Sequence, residues 1–69
     1  MDFPHELFAV AQILTGGNLK VISQPSYNKE ELKIYIERCS KLGVSRNTLT
    51  IVRQIRFSFH EYSEWERVS

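Results

Sequence analysis

The chain has 69 residues, 42% of them apolar and 12% aromatic, with a net charge of +1. That is enough for one small domain with a modest core, too apolar for a disordered segment, and without the ~20-residue apolar run of a membrane helix. Its one cysteine, Cys39, excludes an internal disulfide, and Asp2 and Glu6 stand where a secretory leader carries bases, so a cytoplasmic setting is expected.

Residues 1–69 read as a single domain. The first element reads as a helix. Asp2 serves as N-cap, Pro4 falls in the first turn where its missing N–H costs nothing, and Gly16-Gly17 stops the run. Phe3, Leu7, Val10, Ala11 and Leu14 share one face at helical spacing, widened by Phe8 and Ile13. Next, residues 18–23 form a short segment with strand character that ends at Gln24-Pro25. A second helix comes after it. Asn28 is its N-cap, Glu31 is placed to complete a capping box, and Gly43 supplies a left-handed C-cap. Leu32, Tyr35, Ile36, Cys39 and Leu42 make its apolar stripe, so Cys39 reads as a packing residue.

Charge is uneven along the chain. Lys33, Arg38, Lys41, Arg46, Arg53 and Arg56 face a single acid, Glu37, which gives residues 33–56 a net +5, while residues 1–32 and 57–69 each carry −2. Such a stretch suits phosphate, and it equally suits helix C-termini and solvated strand faces.

The segment beyond Gly43 has two readings. In one, Ser45 caps a second, short helix from 45 to about 53. Residues 35–54, with Cys39 as the small residue four positions before Gly43 and with Leu42, Val44, Leu49 and Val52 as packing aliphatics, resemble the helix-turn-helix unit of bacterial and phage repressors. The resemblance implies that Ser45, Arg46, Asn47 and Thr50 face the groove of double-stranded DNA, with Lys41 and Arg53 on phosphates. In the other reading the segment is a strand. Leu49, Ile51, Arg53, Ile55, Phe57 and Phe59 alternate with Thr48, Thr50, Val52, Gln54, Arg56, Ser58 and His60, so one face is apolar but for Arg53 and the other polar but for Val52. A short helix and then a strand satisfies both signals. The expected fold class is then α+β, in the order helix, short strand, helix, short helix, strand, similar to a winged helix.

The tail holds Tyr62 and Trp65, read first as caps on the core and otherwise as anchors for a partner. Catalysis has no basis in the sequence. The lone aspartate reads as a cap, His5 and His60 lack metal-pair spacing, and Gly16-Gly17 lacks the lysine of a phosphate loop, so no enzyme and no cofactor is expected. Two functional expectations stand. The first is a small DNA-binding transcriptional regulator, as a homodimer, of the kind phages and mobile elements encode. The second is a protein–protein interaction module, an inhibitor or adaptor, that uses its amphipathic strand for sheet addition and Phe57, Phe59, Tyr62 and Trp65 as its interface.

Overall fold

The computed structural model describes residues 4–68. Its first element is a strand, β1 (His5–Ile13), at the centre of an antiparallel sheet. β2 (Leu19–Val21) pairs with one edge of β1 and β3 (Leu49–Arg56) with the other, and β4 (Glu66–Arg67) closes the far side of β3. One helix, α1 (Lys29–Lys41), lies between β2 and β3 in sequence. The expected helix-first, winged-helix-like order is therefore overturned. The observed order is strand, strand, helix, strand, strand, and the sheet reads β2-β1-β3-β4 across.

The helix-like pattern of β1 has a physical cause. A strand flanked on both edges and covered on both faces is apolar at nearly every position, so it also satisfies a helical period. Ala9, Val10 and Ala11 are all fully buried, with Val10 facing α1 and the two alanines facing away. Gly16 and Gly17, at φ 84° and 85°, turn the chain back into β2. They act as hairpin residues, and the expected cap Asp2 lies outside the described residues. Beyond Val21 the edge of β1 stays occupied. Ile22 donates to the Val10 carbonyl (2.9 Å), the Ser23 hydroxyl accepts from the Val10 N–H (2.7 Å), and Ser26 exchanges both backbone bonds with Phe8.

The expected middle helix forms as α1. Asn28 Oδ1 accepts from the Glu30 N–H at 2.9 Å, and Glu30 and Glu31 sit at the positive end of the helix. The reciprocal half of the capping box is replaced. Glu31 accepts from the Ser26 hydroxyl (3.1 Å), which itself accepts from the Asn28 N–H (3.0 Å). At the other end Gly43 has φ 98°, Val44 donates to the Cys39 carbonyl and Gly43 donates to that of Ser40, both at 3.1 Å. That paired pattern is a Schellman stop. It ejects Leu42 from the expected stripe, leaving it 86% exposed, and Val44 packs beside Cys39 in its place.

Two small cores result, one on each face of the sheet. Under α1, Leu32 packs with Val10 and Leu49, ringed by Phe8, Ile22, Tyr35, Ile36 and Ile51. The Tyr35 hydroxyl donates to the Ile22 carbonyl at 2.9 Å, which fixes the helix to the β2 edge. On the opposite face Ala9, Ala11 and Val52 form a shallow floor that Leu19, Val21 and Trp65 cover.

Candidate interaction surface

Residues 45–53 do not make a recognition helix. Arg46–Thr48 form one 3-10 turn and β3 begins at Leu49. Ser45 accepts from the Thr48 N–H and hydroxyl through its carbonyl, and its side chain makes no cap bond. The β-branched residues Thr48, Thr50, Ile51 and Val52 favour the strand, which also gives β1 its partner.

The residues expected to read DNA are consequently dispersed. Lys41 ends α1, and Arg46 and Asn47 sit exposed on the turn. Thr50 and Arg53 belong to alternate positions of β3 and so point to opposite faces of the sheet. Arg53 also lies between two carboxylates, 3.7 Å from Glu6 and 3.9 Å from Glu66. These contacts are half-exposed and weak as stabilisers, but they neutralise the charge that a phosphate would need.

The partner-binding expectation divides as well. β3 cannot add to another sheet, because both of its edges are taken. β1 pairs with one edge along its length, and residues 62–68 cover the other. The sheet's outer strands, β2 and β4, are three and two residues long and carry Lys20, Glu66 and Arg67, features that blunt an edge. Trp65 is half-buried over the alanine floor, so it acts as a core cap.

Phe57, Phe59 and Tyr62 remain, and the structure brings them together on one turn. They are 54%, 77% and 56% exposed. The turn that carries them is tightly bonded. Phe57 and Ser58 both donate backbone N–H groups to the Glu61 carbonyl (2.8 and 3.2 Å), and the Ser58 hydroxyl accepts from the N–H groups of His60 and Glu61. At its base Tyr62 bridges to Arg56, whose guanidinium lies 5.2 Å over the Tyr62 ring. Ser63 then locks the return strand, donating its N–H to the Ile55 carbonyl and accepting the Ile55 N–H on its hydroxyl. Ser58 and Ser63, which hold this turn together, gave no signal in the sequence beyond being turn-favouring residues.

The turn and the residues that follow it are acidic, with the Arg56 guanidinium against Tyr62 as a counter-charge at its base. Between residues 57 and 66 the charged side chains are Glu61, Glu64 and Glu66, with no Lys or Arg. A cleft of about 350 Å³ opens elsewhere, beside the start of α1, lined by Ser26, Glu31 and Tyr35 among others, but all three side chains already hold hydrogen bonds. Among the described residues there is no cluster of three potential metal ligands and no helix long and apolar enough to cross a membrane. Compared with protein-family models, curated proteins and solved structures, the chain matches none.

Proposed function

We propose that this chain is a small protein-binding module whose contact surface is the aromatic turn 57–62. The observation that carries the reading is the combination of exposure and order at Phe57, Phe59 and Tyr62. Large exposed aromatics cost solubility, and a turn held by four bonds to Glu61 and Ser58 fixes them before any partner arrives. Aromatic anchors with few rotatable bonds on a preorganised loop are the side chains that carry binding energy at protein interfaces. The neighbouring carboxylates favour a partner surface that is apolar at its centre and basic at its rim. They disfavour nucleic acid at this site, whose affinity depends on unneutralised Lys and Arg.

The test compares the immobilised wild-type chain with a Phe57→Ser/Tyr62→Ser variant, each exposed to an extract of the source cells. A saturable protein ligand held at least about tenfold more weakly by the variant, with unchanged circular dichroism, supports the reading. Equal retention by both chains refutes it. So does binding of duplex DNA at low salt that ignores the turn substitutions and falls with Arg46→Ala, which would restore the nucleic-acid alternative.

A further inference from the structure

The acidic aromatic turn has a counterpart elsewhere in the same molecule. Residues 37–48 carry Arg38, Lys41 and Arg46 against Glu37, which lines one groove with Arg46, and sum to +2, where residues 56–66, with Arg56 against Tyr62, sum to −2. Leu42, 86% exposed at the helix stop, projects from the middle of that basic stretch. The two regions lie at opposite ends of β3. The turn 46–48 feeds directly into Leu49, and the aromatic turn starts directly after Arg56, so the eight-residue strand separates them by roughly 24 Å at its ordinary rise. A single chain cannot close that gap on itself. A neighbouring copy can.

We infer that the aromatic turn of one copy docks on the basic helix end of the next, with Leu42 meeting Phe57 and Tyr62 while Lys41 and Arg46 face Glu61 and Glu64. This rests on the reading of the turn as a protein-binding surface and names its occupant as a second copy of this chain. The contact joins two different patches, so it is heterologous, and each copy added leaves one patch of each kind open. Assembly therefore adds copies turn-to-end until the rotation between them closes a ring. Each interface is small, which makes the association weak, dynamic and dependent on low ionic strength.

Sedimentation of the wild-type chain tests this, from micromolar to about 0.5 mM, where even a weak contact is populated. At low salt the weight-average mass is expected to rise above the monomer with concentration, and to fall back towards the monomer once salt shortens the screening length to a few ångströms. Two charge-reversed variants make the test specific. Lys41→Glu/Arg46→Glu disables the basic end, and Glu61→Lys/Glu64→Lys disables the turn; these side chains are exposed, so both variants should fold. Each variant alone stays monomeric. Mixed, they associate again, because the unaltered turn of one variant meets the unaltered basic end of the other and the two reversed patches complement each other as well. A wild-type chain that is monomeric throughout overturns the inference, as does a closed dimer that persists in either variant alone. If that happens while the extract experiment still shows turn-dependent capture, self-assembly falls and the protein-binding reading stands. If capture is also lost, both fall.

Discussion

Val52 offers a sharp test of the two-sided sheet. Strand alternation puts it among Thr50, Gln54 and Arg56, on what reads as a solvated face, yet it is fully buried with Ala9 and Ala11 beneath Trp65. Val52→Ala removes two buried methyl-sized groups, at about 0.8 kcal/mol each for the lost transfer energy. A cavity left under a partly relaxed indole adds about 24 cal/mol per Å³, so the expected loss is about 2–3 kcal/mol. For a domain of this size, whose whole stability is about 3–10 kcal/mol, that lowers the melting temperature by roughly 10–20 °C. Val52→Thr keeps the shape and buries a hydroxyl, and should cost about 1–3 kcal/mol by desolvation. The assay is urea unfolding monitored by fluorescence, with Trp65, the sole tryptophan, lying against the substituted site as reporter. A loss below about 0.5 kcal/mol in both variants is the surface-residue result. It would mean that Val52 faces water and that the second core does not exist.

Other outcomes depend on single contacts. Gly43→Ala places a Cβ in open space but at φ 98°, so backbone strain alone should destabilise by about 1–2 kcal/mol, measured by urea unfolding. Leu42→Ala, at the adjacent position, should change stability by less than about 0.5 kcal/mol in the same assay; a larger loss would return Leu42 to the core. Asn28→Ala removes the bond to the Glu30 N–H and should cost about 1 kcal/mol, with loss of amide protection confined to the first turn of α1. Tyr35→Phe removes the bond to the Ile22 carbonyl and should cost about 0.5–1.5 kcal/mol, readable as faster hydrogen exchange near residues 22–23.

Local chemistry determines which elements could be read from the sequence. Helix α1 was legible because its signals are contiguous: Asn28 as cap, acids in the first turn, Arg38 and Lys41 in the last, and Gly43 beyond. The alternation was a true strand signal only over residues 49–56; its expected continuation over 57–60 is a turn, which carries Phe57 and Phe59. β1 was illegible because its pattern comes from what covers it. Partners distant along the chain make both of its faces apolar, and no short window of sequence contains them. The same holds for Arg53, which read as a free cation until Glu6 and Glu66 came to flank it from the two neighbouring strands. The aromatic residues of the turn were visible as a cluster. Their separation into an exposed group and a buried Trp65 depended on the two alanines of β1, which leave room for one indole.

The pairing of β1 with β3 also has a consequence in time. Its eight residue pairs join positions separated by 37 (Gln12 with Leu49) to 51 (His5 with Arg56) along the chain. Closing the shorter of these loops costs about 3 kcal/mol of chain entropy before the first pair is made. Forming β2 or α1 first shortens the flexible loop but lowers that cost only logarithmically. A molecule this small should therefore fold slowly for its length, in milliseconds to seconds, behind helical domains of equal size. Its rate-limiting step would be the meeting of the two long strands, with α1 flickering in and out of helix while it waits.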